Sequence, residues 1–558
     1  MSNESVPATV LPADFFGKLD PLYREKLVQL EKAIKRVKTG KTLIIEDFCH
    51  QFMMPKEFWD KLIDIGHDDD RYGISTYLNT IFKHSIYQFY FKPGEIASAL
   101  TECDQRKIYD FDYTATKIDV KDLYYPHKDL QRKLEEYERN YACFLIPKSV
   151  LQKVERMKFL YCKIKAVEEN VEEWINALLE VEDKEFVEDN IEYRIGQDLT
   201  NKKLWKMYIE YLKNTKNKQK LLQTYSKYCR FFLSDYEMIE EYRNASGRRR
   251  KVLVPWMNAF DFEIFDDRFF KKKTHLPKNE KTPEIEKPPL MFHFNAGNAS
   301  TQRFPFKPNL MNYILKNANA RILQDLYNSC KWFYLKNPIS ICYKLGPNYY
   351  QSDQLNGIQL KGQSISLPDS WQLPESFGKI YVTTSLTSSS YIFPNIIPMI
   401  YRCTVKYISL SDQILSDKEI ELLIGHGNVL DLNFWEIKDS NNDYFVLENL
   451  LKMVSKIKCF IIYGIQCTPE SSKIICELPF ENKIDTFGLT GIKNTVLEPK
   501  GFAEFIKKNF STKGDIVLGV DYSDDREEYE ANFNEIVNNV INENWKNEKV
   551  KPTFYIIN

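Results

Sequence analysis

Glycine is scarce, 20 residues in 558, and none of it is arranged to cradle a phosphate. There is no GxxxxGK and no GxGxxG opening a strand–helix unit, so the usual signals of P-loop and dinucleotide binding are missing. Histidine is scarcer, seven residues spread from His50 to His426 without ligand spacing, and HExxH is absent. The eleven cysteines, scattered from Cys49 to Cys476, never form CxxC. An odd, unpatterned set in a long chain points to reduced thiols inside a cell. Cys229 and Cys459 fall at apolar positions, as small core residues do. The most apolar stretch, YIFPNIIPMIY at 391–401, is too short to span a bilayer and carries two prolines. The first residues have neither a basic start nor an apolar stretch, so no secretory signal is expected. A net charge of -1 argues against a dedicated nucleic-acid coat or a membrane-surface protein. A nuclear or cytoplasmic protein is expected, without membrane contact, without direct nucleic-acid binding, and without a cofactor or metal.

Other candidate sites are weak. His67-Asp68-Asp69-Asp70 lacks the oxygen spacing of a calcium loop and reads as a solvated turn. Gly425-His426-Gly427-Asn428 falls between a helix and a strand, where glycine serves a helix C-cap. TTSLTSSS at 383–390 reads as a loop with no GxSxG context. With no catalytic constellation, the chain reads as a non-enzyme.

What is abundant is material for cores. Hydrophobic residues make up 43% and aromatics 14%, with 34 Tyr and 36 Phe. Large rings suit helical repeats and thin strand layers. The length suggests about three or four domains, or fewer if repeats are built.

Residues 1–20 are read as a flexible start and 21–270 as one region, in which Pro21 to about Tyr242 has very little Gly or Pro and is dense in Lys and Glu. In KLLQTYSKYCRFFL, Leu221, Leu222, Tyr225, Cys229 and Phe232 share one helical side. In LEEYERNYACFLIP, Leu134, Tyr137, Tyr141 and Leu145 do the same until Pro147 ends the helix. The region is expected to be all-helical. Trp174 in EEWINALLEVE and Trp205 in KLWKMYIEYL stand 31 residues apart. Trp59 in EFWDKLIDIG, followed by GISTYLNTIF, has a similar setting. A period near that of tetratricopeptide units means helix pairs that must stack. Trp205-x-x-Tyr208 on one helix, then Leu-x-x-Tyr225-x-x-Tyr-Cys on the next, resembles the half-a-TPR (HAT) family. That likeness, clearest over 155–245, implies an α-helical repeat with Trp174, Trp205, Tyr208 and Tyr225 in its core. It also implies a scaffold role among subunits of RNA-processing complexes. An ordinary bundle with Trp in its core is the plainer alternative.

Two basic runs, Arg248-Arg249-Arg250-Lys251 and Lys271-Lys272-Lys273, fit an import signal or, more simply, solvated loop charge partly neutralised by Asp266-Asp267. Residues 271–303, with Pro277, Pro283, Pro288 and Pro289 among many charges, read as a linker.

Residues 304–345 read as a small helical module. Pro308 and Asn309 start a helix striped by Leu310, Ile314 and Leu315, and Ala320 to Phe333 forms a second with Leu323, Leu326, Cys330 and Phe333 on one face. A unit this small leaves apolar faces for neighbours or partners. Phe304-Pro305, then Ile314-Leu315, then Cys330-Lys331-Trp332-Phe333 resembles an F-box in residue order. Phe304 stands where Leu is usual, and Phe306-Lys307 where an acidic residue is usual. The resemblance implies docking to a Skp-type adaptor of SCF ubiquitin ligases through Pro305, Phe306, Leu310, Ile314 and Leu315. The alternative is a hairpin that merely caps the second half of the chain.

From 346 to 558 short β-branched or aromatic runs recur: VKYISL, VLDLNF, IKCFIIY, IDTFGL, DIVLGV and TFYIIN. The first four begin 24, 28 and 27 residues apart, and helix-like stretches such as SDKEIELLIGHG, VLENLLKMVSK, FAEFIKKNF and NFNEIVNNVINENW lie between them. The alternation predicts parallel strands covered by helices, closed into an irregular leucine-rich-repeat-like α/β solenoid. A hairpin followed by such units resembles a large group of nematode F-box and leucine-rich-like proteins. The functional expectation is a non-catalytic adaptor or scaffold that binds proteins through two arrays, by resemblance an F-box-type substrate receptor. The alternative is a HAT-repeat scaffold in nuclear pre-mRNA processing.

Overall fold

The structure, a computed structural model, describes residues 13–37, 40–60, 84–89, 120–215, 217–247, 251–266, 297, 302–304, 306–347, 359–367, 378–388, 393–492, 497–520, 526–546, 548 and 550–557. Most of the expected linker, His67–Asp70, GISTYLNTIF and the cores of both basic runs lie outside these residues. The chain forms two compact units, 1–134 with 148–291 and 135–147 with 292–558.

The first unit is mainly helical. Helices α1 (Pro21–Arg36), α2 (Lys41–Cys49) and α3 (Leu130–Asn140, whose residues from 135 on belong to the second unit) precede α4 (Lys148–Ala166), α5 (Val171–Leu179), α6 (Lys184–Gln197), α7 (Lys202–Asn214), α8 (Lys218–Tyr228) and α9 (Tyr236–Ser246). From α5 to α9 every helix starts at an Asn or Asp whose side chain accepts a first-turn N–H: Asn170, Asp183, Asn201, Asn217 and Asp235. Each such cap stabilises its helix by about 1 kcal/mol and marks where it begins. From α4 on, each helix packs against the next, and α5 also meets α7. Trp205 is fully buried on α7, and its indole N–H donates to the Leu199 carbonyl at 3.0 Å.

The expectation of an all-helical first half needs correction in two places. Strands β1 (Val252–Val254) and β2 (Glu263–Phe265) pair in parallel. They are held by a buried pair. Glu263 takes both Nη groups of Arg230, the hydroxyls of Tyr242 (2.8 Å) and Ser226 (2.9 Å), and the Phe260 N–H (2.9 Å). Both charged side chains are essentially inaccessible to solvent. Second, the helix in LEEYERNYACFLIP ends at Asn140, well before Pro147. The amides of Tyr141 and Ala142 both donate to the Tyr137 carbonyl, which closes the last turn.

The second unit opens with helices α10 (Pro308–Asn317), α11 (Ala320–Ser329) and α12 (Lys331–Lys336). The expected second helix is broken at Cys330, which takes extended backbone. Eleven described strands come next in the chain: β3 (Ile339–Pro347), β4 (Gln359–Lys361), β5 (Ser364–Leu367), β6 (Lys379–Ser388), β7 (Ile400–Cys403), β8 (Tyr407–Ile414), β9 (Asp431–Lys438), β10 (Cys459–Ile465), β11 (Ile484–Ile492), β12 (Phe510–Val520) and β13 (Thr553–Ile557). They form one sheet in the order β13-β12-β11-β10-β9-β8-β6-β3-β5-β4, with β7 beside β6, and only β4–β5 is antiparallel. The six runs anticipated from VKYISL to TFYIIN are β8 to β13. TTSLTSSS is not a loop: residues 383–388 lie in β6, where β-branched Thr and Val fit between β3 and β8. Residues 339–345, assigned to the helical module, belong to β3.

From β8 onward each strand pairs with the next in the chain. The intervening helices α13 (Asp417–Ile424), α14 (Leu447–Met453), α15 (Ser471–Glu477), α16 (Pro499–Asn509) and α17 (Arg526–Asn544) supply apolar residues to the core on one face of the sheet. From α14 to α17 each helix packs on the next. The core between the layers is a chain of rings: Phe460 on Phe487 (5.3 Å), Phe487 against Phe502 and Phe505, Phe502 on Phe533, and Phe533 on Phe554 (6.0 Å). Among the described residues no helix is long and apolar enough to cross a membrane.

The Arg230–Glu263 pair generates a prediction. Glu263→Ala leaves a buried guanidinium without its carboxylate and is expected to cost about 3–5 kcal/mol. Urea unfolding checks this; a loss below about 1 kcal/mol would contradict the packing around that pair.

Candidate functional site

Successive strand residues point to opposite faces, so a sheet with one helix layer leaves every second side chain uncovered. In β9, Leu432, Phe434 and Ile437 are buried beneath the helices, while Asn433 and Trp435 take the other face. Register carries that face across the sheet. One row is Tyr407, Asp431, Cys459, Thr486, Asp515 and Thr553; the next is Ser409, Asn433, Ile461, Gly488, Val517 and Tyr555. A third begins Ser411, Trp435, Tyr463 and Thr490.

Immediately after the third row the backbone turns left-handed in four successive strands, at Asp412 (φ 54°), Glu436 (φ 52°), Gly464 (φ 85°) and Gly491 (φ 65°). Each left-handed residue advances the chain so that the following side chain, Gln413, Ile437, Ile465 or Ile492, returns to the buried face. Glycine is required at 464 for a second reason: any side chain there would run into the Tyr444 ring. Tyr444 in turn donates to the Glu436 carboxylate.

This arrangement leaves Trp435 about half exposed, at 52%, with its ring stacked on Tyr463 at 4.4 Å and 7° between planes. Tyr555 and Ile557 are exposed further along the sheet. Large rings held flat by a neighbouring ring lose little freedom on contact, which suits a recognition surface.

The Tyr407 and Asp431 end of the first row is covered by the chain's own residues 135–147, whereas Asp515 and Thr553 at its other end are exposed. Glu138 accepts two bonds from Lys406 Nζ (2.8 and 2.9 Å) and one from the Tyr407 hydroxyl (3.0 Å). Arg139 pairs with Asp431 at 2.6 Å and lies over the Tyr407 ring, and Lys458 pairs with Glu135 at 2.6 Å. The Cys143 carbonyl accepts from the Gln363 amide (2.9 Å) and the Ser364 hydroxyl (3.0 Å). Burial pushes the Asp431 carboxyl up, with Arg139 opposing it. Burial, then the Asp431 charge, pushes the Cys459 thiol up to about 12. Burial and Glu138 likewise raise Tyr407. Cys459 and Tyr407 therefore stay protonated at neutral pH, and neither supplies a nucleophile in this row.

The hairpin residues divide between two faces. Phe306 (54%) and Leu310 (45%) are exposed, with Tyr313 beside them, whereas Ile314 is half-buried and Leu315 is 3% exposed in the hairpin's own core. Pro305 lies outside the described residues. That core also contains Met311, Leu323, Phe333 and, from the sheet, Ile339 and Tyr381. Arg402 Nη1 donates to the Ala318 carbonyl at 2.8 Å, tying the hairpin to the sheet. In the first unit Trp174, Trp205, Tyr208 and Tyr225 are all buried. The Tyr208 hydroxyl donates to Glu192 (2.6 Å), that of Tyr225 to Glu241 (2.7 Å), and Arg194 lies over Trp174.

The Trp435–Tyr463 surface and its covering segment are absent from the sequence-based candidates. Alternation in DLNFWEIK contains the first signal, since Trp435 shares a parity with Asn433. Nothing local points to residues 135–147, whose partners lie hundreds of positions away. Compared with known proteins, the chain matches no family model and no curated sequence.

Glu138 is 8% exposed, so Glu138→Ala strands the Tyr407 hydroxyl and is expected to cost about 1–3 kcal/mol. Amide exchange at Gln363 should accelerate, because its acceptor is Cys143. Exchange unchanged at that amide would show that the segment is held by something other than Glu138.

Proposed function

We propose that this chain is a non-catalytic adaptor. It holds a target protein on the open face of its sheet, and the α10–α12 hairpin docks a Skp-type adaptor as an F-box-type receptor does. The observation that carries this reading is the exposed, stacked Trp435–Tyr463 pair on the sheet face opposite the helices α13–α17. Parallel strands pairing in chain order, with a left-handed residue at the same register in four of them, support reading the second unit as an irregular leucine-rich-repeat-like array. Phe306, Leu310 and Tyr313, exposed on one side of the hairpin while Met311 and Leu315 anchor the other, support the docking role.

A second reading rests on the first unit: the stacked helices α4–α9, with Trp205 and Tyr208 in their core, support a HAT-like scaffold in nuclear RNA processing. On either reading the partners are proteins and the compartment is the nucleus or cytoplasm.

Purified full-length chain and a purified Skp-type adaptor discriminate the two. Phe306→Asp with Leu310→Asp, both at exposed sites, should weaken adaptor binding about 30-fold or more, the loss of about 2 kcal/mol expected at hot spots. Circular dichroism should be unchanged. Trp435→Ala with Tyr463→Ala should keep adaptor binding and lose the co-purifying targets identified by mass spectrometry. Recovery of splicing components with no adaptor binding sinks the first reading in favour of the second.

A further inference from the structure

One cluster of chemistry-bearing side chains in the first unit has no part in either surface. Cys49 ends α2 and His50 is its C-cap residue. His84 opens a short helical turn, 84–87, that reaches the end of α2 from a separate stretch of the chain. Gln88 pins the two segments together: its amide nitrogen donates to the Cys49 carbonyl at 2.8 Å, and its oxygen accepts from the Met54 amide at 2.8 Å. The Met257 amide donates to the His50 carbonyl at 2.9 Å, so the cap is held from a third segment. The His50 and His84 rings lie 4.5 Å apart. One sulfur and one nitrogen from each ring fall within 4.8 Å of one another. Cys49 is 2% and His84 7% exposed, while His50 is half-buried and opens the cluster to solvent.

We propose that Cys49, His50 and His84 bind one borderline-soft divalent ion of the zinc class. The ion would staple the end of α2 to the 84–87 turn. A tetrahedral zinc with sulfur at about 2.3 Å and nitrogens at about 2.0–2.1 Å places its ligands about 3.3–3.6 Å apart. The observed spread, within 4.8 Å, is wider, so binding would draw the three side chains together by about 1 Å. Thiolate and imidazole donors select zinc, cobalt or copper over magnesium and calcium. Burial and the neighbouring His50 hold His84 down to about 3, so its ring is neutral and can donate a lone pair to a metal. Burial, then Glu46 and Asp47, raises the Cys49 thiol, which gives up its proton as the metal binds. Three protein ligands leave a fourth position for water or another group.

The test is a cobalt titration of the chelator-treated full-length protein. The expected result is a single equivalent with thiolate-to-cobalt charge-transfer absorption and the intense visible bands of four-coordinate cobalt. Zinc should discharge both and raise the melting temperature. Cys49→Ala, His50→Gln and His84→Gln should each weaken cobalt binding about 100-fold or more, at least the upper end of the loss seen when a metal ligand's own hydrogen-bond partner is removed. Cys162→Ala, at an exposed thiol, should change nothing. His50→Gln carries the test if a buried variant fails to fold. Absence of the charge-transfer band at stoichiometric cobalt overturns the proposal, as does a band that persists in His50→Gln.

Discussion

A strand whose side chains alternate can bury only every second one beneath a single layer of helices, and β8 to β13 are built on that constraint. Pairing in chain order keeps the helices on one side, so the rings of Phe460, Phe487, Phe502, Phe505 and Phe533 share one continuous core. On the opposite face, among the described residues, the end of α3 and the residues after it meet the sheet at Lys406, Tyr407, Asp431 and Lys458. The left-handed residues at 412, 436, 464 and 491 set where this alternation resets, turning Ile437, Ile465 and Ile492 inward directly after the row that presents Trp435 and Tyr463.

Residues 135–147 show a second consequence of the open face. Its first row contains Asp431, with Lys406 and Lys458 just before the strands, and their charges are met by Arg139, Glu138 and Glu135. Backbone bonds from Gln363 and hydroxyl bonds from Ser364 complete the attachment at Cys143. Next to Tyr407 and Asp431 the surface left for a partner therefore begins beyond that row, where Trp435 is exposed. The hairpin relates to the sheet through a different contact, an apolar one in which Ile339 and Tyr381 join Met311, Leu315 and Phe333. It caps this sheet, and the same geometry leaves Phe306, Leu310 and Tyr313 facing outward.

Much of the secondary structure was legible. Asn and Asp at helix starts, three-and-four apolar spacing and short β-branched runs act within a few residues. The helices around Trp174 and Trp205 and the strands β8 to β13 stand where those signals fall. The failures share one cause. Thr383–Ser388 is polar and runs into further serines, so it looks like a loop despite its β-branched Thr, and it becomes a central strand because β3 and β8 flank it. Val252–Val254 and Glu263–Phe265 are too short to announce themselves and are held by Arg230 from another element. Leu315 carries the same local apolar signal as Leu310, and only packing separates buried from exposed.

By itself, the sequence determined a mainly helical first half, a parallel strand–helix second half and the scarcity of glycine and histidine motifs, because caps, periodicity and spacing are local properties. The tertiary structure alone decided which sheet face lies opposite the helices, which segment covers the Tyr407–Asp431 end of its first row, and that Cys49, His50 and His84 meet. Those outcomes depend on registers and contacts between residues far apart in the chain, and no local pattern encodes them.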